Sequence, residues 1–112
     1  MVDVVGSDEF EDWYKDLDGI QKKAVAKRIF LLRSIGVALG FPYSSEIKGS
    51  KFPLRELRVK AKGRQIRVFY AFAPSREGVL LLGGDKTGDD RFYQKKIPQA
   101  ERIWVCYLKE KT

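Results

Sequence analysis

Residues 54–72, LRELRVKAKGRQIRVFYAF, alternate between apolar and polar side chains on both sides of Lys62-Gly63. An alternation with a period of two is typical of a β-strand that buries one face, and a two-residue break containing glycine is typical of a tight hairpin turn. Because a one-residue slip would turn every side chain to the other face, this pattern specifies the pairing. The sequence therefore predicts antiparallel strands over residues 54–61 and 64–73.

The predicted pairing assigns the hairpin residues to two faces. One face can rest on helices, and it carries Arg55 opposite Tyr70 together with the apolar residues Leu57, Val59, Ile66 and Val68. The other face places Arg58 directly opposite Arg67, and like charges in this position repel each other. Something must compensate for that repulsion.

Two interpretations of the Arg58 and Arg67 pair stay open. In the first, the face is solvated and Glu56, which lies diagonal to Arg67, supplies the compensating charge. In the second, the two guanidinium groups converge on a phosphate, which their planar donor geometry suits. Phe69 beside them is then either an aromatic platform for a base or an aromatic covered by the C-terminal segment.

The remaining elements follow from periodicity and turn residues. Residues 2–5 predict an edge strand, and Ser7 or Asp8 can cap a helix whose apolar face is Phe10, Trp13, Tyr14 and Leu17. Asp18 can cap a second helix over residues 20–35, and residues 36–50 predict a connecting loop with Ile47 turned inward. Residues 78–83, GVLLLG, predict a central strand, and Pro98 suits the first turn of a last helix.

This order of elements predicts an α+β fold. We expect a small antiparallel sheet, a three-strand meander with an optional N-terminal edge strand, packed against two N-terminal helices and a C-terminal helix that cover one face. The chain of 112 residues is long enough for one core, so we expect a single domain spanning 1–112.

Composition limits the chemistry of this domain. Its 22 Lys and Arg against 15 Asp and Glu give a net charge of +7, which favours polyanionic partners, either nucleic acid or an acidic protein. Histidine is absent from the sequence, which excludes His-based general base catalysis, His metal sites and Ser-His triads. We expect neither a metal nor a cofactor.

The single cysteine and the first residues of the chain indicate the cellular compartment in which the protein is expected. Cys106 lies among apolar residues and predicts a buried free thiol. The opening MVDVVGSDEF has no features of a signal peptide, and the chain has no apolar run of about eighteen residues. We expect a cytoplasmic protein without a membrane partner.

The pattern L-R-E-L-R-V, then G-R-x-x-R-V-F-Y, an apolar strand, G-x-x-K and a terminal helix resembles the RelE/HigB-like toxins of bacterial type II toxin-antitoxin systems. The resemblance covers nearly the whole chain, and the segment GGDKTGDDRFYQKKIPQAERI is especially similar to HigB-like proteins. It implies a compact RelE/ParE-like fold and a ribosome-dependent endoribonuclease that cuts mRNA without a metal, through attack of the ribose 2′-hydroxyl on the adjacent phosphate.

The resemblance also implies roles for individual residues. Arg67 matches an arginine that contacts the scissile phosphate, Tyr93 matches the general base position, and Lys86 can protonate the leaving oxygen. A lowered pKa of Tyr93 is required for that role, and neighbouring lysines can provide it. Further RNA or phosphate contacts are expected from the basic and aromatic residues Arg55, Arg58, Lys60, Arg64, Phe69, Arg91 and Lys95.

The sequence departs from the family pattern at several positions. The histidines of some HigB toxins are absent, Thr87 replaces a second catalytic arginine, and Asp89 and Asp90 place negative charge near the expected RNA path. These departures keep open a catalytically weak or differently targeted toxin. Two alternatives to the nuclease also stay open, a ParE-like inhibitor of DNA gyrase without enzymatic activity and an RNA-binding or antitoxin-binding module without cleavage. The resemblance implies the ribosome, mRNA and a cognate antitoxin, often of helix-turn-helix type, as partners.

Overall fold

The computed structural model describes residues 1–111, which form a five-stranded mixed sheet and three α-helices. The strands are β1 Val4–Gly6, β2 Ser44–Glu46, β3 Arg55–Ala61, β4 Arg64–Phe72 and β5 Gly78–Asp85. The helices are α1 Asp8–Lys15, α2 Gly19–Ile35 and α3 Phe92–Glu110. The strand order is β1-β5-β4-β3-β2, with β1 parallel to β5 and the other pairs antiparallel. The predicted α+β class of a small RelE-like fold is confirmed.

The hairpin formed by β3 and β4 has the predicted register. Arg58 pairs with Arg67, and the pairing extends from Arg55 opposite Tyr70 to the strand ends beside the turn. Lys62 and Gly63 both have a positive φ, 54° and 73°, as a two-residue type I′ turn requires. The local alternation of the sequence was therefore sufficient to specify this part of the sheet.

Both N-terminal helices begin at the predicted caps. The Ser7 hydroxyl accepts a hydrogen bond from the Phe10 N–H at 3.0 Å, and the Asp18 carboxylate accepts one from the Gln21 N–H at 2.8 Å. These bonds satisfy amide groups that have no partner inside a first helical turn.

None of the helices within residues 1–111 combines the length and apolar character that crossing a bilayer requires.

The helices cover both faces of the sheet, which corrects the prediction that they cover one. The face under α1 and α2 buries Phe10, Val25, Leu32, Leu57, Val59, Ile66, Val68, Tyr70 and Leu80. The face under α3 buries Leu54, Phe69, Ala71, Val79, Leu81, Phe92, Ala100 and Trp104. Side chains in the middle of the sheet point alternately to two faces, and helices cover both of them. The second set is therefore apolar like the first, because neither face is exposed to water there.

The C-terminal helix begins at Phe92, six residues before the Pro98 at which the sequence placed its first turn. Pro98 lies inside the helix at an exposed position, where water can solvate the carbonyl left without an amide partner. The earlier start places Phe92 and Tyr93 over the sheet.

Two smaller expectations also require correction. The segment 36–50 contains, besides a short 3-10 turn Gly36–Ala38, the strand β2, which pairs with β3 through Ser44 opposite Leu57. Cys106 is exposed on α3, not buried. Ile47 does turn inward, and β5 is buried between β1 and β4 as its composition predicted.

Candidate nucleic-acid interface

A buried carboxylate lies between the two opposed arginines of the hairpin. Glu56 of β3 is only 5% exposed, and its oxygens lie 3.7 Å from Arg58 Nη1 and 3.7 Å from Arg67 Nε. The Ser45 hydroxyl donates a hydrogen bond to the same carboxylate at 3.0 Å, and the Tyr93 hydroxyl donates another at 2.8 Å. We call Glu56, Arg58, Arg67 and Tyr93 the Glu56 cluster. Glu56 thus provides the compensating charge that the first interpretation of the hairpin required.

Arg67 carries more hydrogen-bonding capacity than its neighbours use. It is 5% exposed, and its Nη1 donates to the Ile66 carbonyl oxygen at 3.0 Å. Its Nε is buried and has no hydrogen-bond partner among residues 1–111. The Glu56 carboxylate, 3.7 Å from this atom, partly compensates for the missing hydrogen bond.

Tyr93 donates its hydroxyl proton to Glu56, and this contact determines its ionisation. Burial of the hydroxyl, followed by the hydrogen bond to Glu56 and the charge of Glu56, raises the pKa of Tyr93 to about 12, and Arg67 partly opposes this shift. The expected lowering of the Tyr93 pKa by neighbouring lysines is wrong. Lys86 does lie close, with its Nζ 5.5 Å from the ring centroid, but it contacts the face of the ring.

A basic groove adjoins the cluster at the edge of the sheet. It has a volume of about 410 Å³. Its lining comes from four parts of the chain and includes Arg28 of α2, Phe41 and Tyr43 of the loop, Arg58 and Lys60 of β3, and Arg67 of β4. We call this cavity the edge groove. Because Arg58 and Arg67 belong to both, the groove and the Glu56 cluster form one continuous site.

The sequence-based prediction missed three residues of the edge groove. Phe41 and Tyr43 are 77% and 43% exposed and lie in the turn that leads into β2. The Arg28 guanidinium carbon lies 4.7 Å from the Tyr43 ring centroid, and that of Arg58 lies 5.3 Å from the Phe41 ring centroid. The two aromatic residues on either side of Pro42 were the signal that could have indicated Phe41 and Tyr43.

Two of the predicted contact residues lie away from a surface that RNA can reach at this site. Phe69 is fully buried and stacks on Tyr93 with ring centroids 6.0 Å apart, so it is not an exposed platform for a base. Arg55 extends on the opposite face of the sheet, where its Nε donates to the Ser44 hydroxyl at 3.2 Å. The covering of Phe69 by α3 could not be read from the hairpin alone.

The other predicted basic residues surround the site at different distances from it. Lys60 is exposed and lines the edge groove. Arg64 and Lys95 form exposed ion pairs with Asp85 and Asp89, both at 2.6 Å. Arg91 is exposed and precedes α3. The structure therefore brings Arg58, Lys60, Arg67, Lys86 and Tyr93 into one neighbourhood.

Comparison with known proteins gives a consistent result. Residues 12–105 match the family described as "Phage derived protein Gp49-like (DUF891)". The chain is 38% identical over 96 residues to the Mycobacterium tuberculosis protein named "Putative toxin HigB3", covering 84% of this chain and 82% of that protein. It is 32% identical over 99 residues to "Putative toxin HigB2" of the same organism, covering 86% of this chain and 49% of that protein.

Proposed function

The chain belongs to the phage-derived Gp49-like family and to its HigB-type toxins, and on that premise we propose that it is the toxin of a type II toxin-antitoxin system. Its partner is then a cognate antitoxin, with a helix-turn-helix protein encoded by the adjacent reading frame as the first candidate. An antitoxin segment that crosses the Glu56 cluster and the edge groove would block the proposed active site.

We further propose that the toxin is an endoribonuclease that cuts mRNA on the ribosome. The observation that supports this most directly is the convergence of the Arg58 and Arg67 guanidinium groups at the edge groove. Glu56 neutralises one of these two positive charges. A surplus of oriented guanidinium donors suits a phosphate whose charge grows in the transition state.

The proposed reaction is a transesterification that uses only groups of the chain and the RNA. The ribose 2′-oxygen forms a bond to the adjacent phosphorus, the bond from phosphorus to the 5′-oxygen breaks, and the products are a cyclic phosphate and a 5′-hydroxyl. Arg67 and Arg58 stabilise the negative charge on the pentacoordinate intermediate. Lys86 donates a proton to the leaving 5′-oxygen.

Tyr93 receives the proton of the 2′-hydroxyl in this scheme. Because its pKa is raised to about 12, a free phenolate is scarce near neutral pH. Tyr93 can act only if its own hydroxyl proton moves to Glu56 as the substrate proton arrives, and the 2.8 Å hydrogen bond provides that path. The role that the family resemblance implies is thereby changed from a phenolate base to a relay.

An RNA-binding module without cleavage is the second candidate. The specific observation in its favour is that Glu56 already occupies the space between the two arginines and holds Tyr93 as a hydrogen-bond donor. In that case the groove binds RNA and the cluster is a structural ion pair.

Mapping transcript ends after pulse expression separates the candidates. We expect cuts within translated codons for the wild type, and a loss of cleavage of about 10²- to 10³-fold for Arg67→Lys, which keeps the charge next to Glu56 but lacks the planar donor pair. Arg102→Lys, an exposed position on α3, is the control and should cut normally.

One result would argue against the proposed site and two against the nuclease. Full cleavage by Arg67→Lys would remove Arg67 from the reaction, and RNA binding without cuts would favour the module. Inhibited DNA supercoiling with intact mRNA would favour a ParE-like gyrase inhibitor. Because Arg67 is buried, Arg58→Ala, whose side chain is 31% exposed, provides a second variant with a smaller risk to folding.

A further inference from the structure

The edge groove presents two aromatic rings to solvent beside the phosphate site. Phe41 is 77% exposed and Tyr43 is 43% exposed, although aromatic side chains usually bury most of their surface. The loop that carries them is attached to the sheet, because the Tyr43 carbonyl oxygen accepts a hydrogen bond from the Arg58 N–H at 2.8 Å. The rings are therefore exposed on an anchored backbone.

Each ring packs against an arginine. Arg58 lies over Phe41 at 5.3 Å and Arg28 lies over Tyr43 at 4.7 Å, within the range of a cation–π contact. A guanidinium on one side of a ring restricts its motion, and a planar group can stack on the side that remains exposed. Nucleic-acid bases are such groups, and base stacking on aromatic side chains tolerates any base.

The charges of the groove indicate the rest of the ligand. Four of its lining residues are cationic, Arg28, Arg58, Lys60 and Arg67, and no carboxylate is among the lining residues of the described chain. An acceptor-rich anion such as a sugar-phosphate backbone complements these four cationic side chains.

From these observations we propose that the edge groove is a nucleotide subsite, in which Phe41 and Tyr43 stack on a base of single-stranded RNA next to the phosphate bound by Arg58 and Arg67. The proposal rests on RNA as the substrate class of the proposed function and adds a base-binding element outside the reacting atoms. A nucleotide fits better than an acidic protein segment because the groove combines exposed aromatic faces with its surplus positive charge. The volume of about 410 Å³ lies within the usual range of small-ligand sites.

The test compares two RNA probes that differ only in their bases. Both are short single strands with methylated 2′-oxygens, which blocks cleavage, and one of them is abasic. Because their phosphates are equal, the electrostatic part of binding is equal at fixed salt. We expect the full chain to bind the strand with bases at least about tenfold more tightly, as stacking of one base provides.

Variants test which residues cause the preference for the strand with bases over the abasic strand. Phe41→Leu and Tyr43→Leu should each bring the ratio of the two affinities towards one, whereas Arg58→Ala should weaken the binding of both strands. Phe30→Leu is the matched control, since Phe30 is 64% exposed on α2 and does not line the groove, and it should keep the wild-type ratio. Thermal unfolding checks that each variant is folded.

Equal binding of the two probes by the wild type would overturn the proposal, whatever the variants do. An unchanged ratio of the two affinities in both Phe41→Leu and Tyr43→Leu would also overturn the proposal. If the antitoxin in addition no longer neutralised these variants, the two rings would be assigned to binding of the antitoxin. A base preference in a chain that makes no cuts would instead support the subsite and reject the nuclease. Failure of the subsite and failure of the proposed reaction are thus distinguishable.

Discussion

The hydroxyl of Tyr93 donates to a buried carboxylate, and this single contact determines both its ionisation and its possible chemistry. Glu56 is 5% exposed, so removing one of its donors leaves part of a buried charge unsolvated. The folded pKa of Tyr93, about 12, lies above the ordinary value of 10. The stability that the protonated Tyr93 hydroxyl contributes is therefore fully present below about pH 10. It is lost as the pH rises through 12.

Replacement of Tyr93 by Phe tests this contact. We expect the free energy of unfolding to fall by about 1.5–3 kcal/mol at neutral pH, as for a hydrogen bond to a charged group. The phenolate absorbance step near pH 12, to which Tyr107 also contributes, should shrink by the share of one tyrosine, and cleavage activity should be lost. Tyr107→Phe is the matched control, because its pKa is also raised to about 12 and it lies at the far end of α3.

The control should lose a similar absorbance step and keep the activity. Retention of full cleavage by Tyr93→Phe would exclude Tyr93 from proton transfer. A titration of Tyr93 near pH 10 would show that Glu56 does not accept its hydrogen bond in solution.

At the level of elements, the end of β5 allows helices to approach the sheet from both sides. A Cβ atom on Gly83 would lie 2.3 Å from the Trp13 ring of α1, and one on Gly84 would lie 2.8 Å from the Phe92 ring of α3. Both distances are too short for a Cβ atom, so a side chain at either position would force the neighbouring ring to move. The two glycines therefore set how closely α1 and α3 pack, and Gly84 sets the position of the start of α3 next to the site.

We expect Gly83→Ala to destabilise the fold by about 1–3 kcal/mol, because the methyl group must displace a packed indole ring. Gly19→Ala is the control, since its Cβ would meet no atom within 4 Å at the start of α2 and a change of at most about 1 kcal/mol in the stabilising direction is expected. Urea unfolding measures both. Equal stability of the two variants would show that Trp13 does not pack on Gly83.

On the scale of the whole molecule, α3 is connected to the sheet at both ends by a tyrosine and a carboxylate. Tyr93 donates to Glu56 near its start, and Tyr107 donates to Glu77, in the turn between β4 and β5, near its end. The hydrogen bond from Ser75 and then that from Tyr107 lower the pKa of Glu77 from 4.5 to about 2. The helix that carries Tyr93 of the proposed active site is thus also attached at its other end.

This arrangement predicts a dependence of stability on acid. Because the folded pKa of Glu77 is depressed, its contribution is present above about pH 4.5 and is lost as the pH falls through 2. We expect the difference in thermal midpoint between the wild type and Glu77→Gln to shrink across that window. A difference that stays constant between pH 5 and pH 2 would contradict the depressed pKa.

Local rules predicted a large part of this fold. The turn at Lys62-Gly63 and the alternation around it specified the register, and the caps at Ser7 and Asp18 marked where α1 and α2 begin. The start of α3 was not predictable in the same way. The first-turn preference of proline indicated Pro98, whereas packing of Phe92 on Gly84 and of Tyr93 on Phe69 extends the helix back to Phe92.

The sequence by itself determined the α+β class, the register that opposes Arg58 to Arg67, and the resemblance that indicates a toxin, because these follow from local patterns and from their order along the chain. Only the tertiary structure decided that Phe69 is buried, that Glu56 lies between the two arginines, and that its bond to Tyr93 raises a pKa expected to fall. Contacts between Arg28 and Tyr43 or between Glu56 and Tyr93 join distant parts of the chain. Their geometry exists only after the helices have packed on both faces of the sheet.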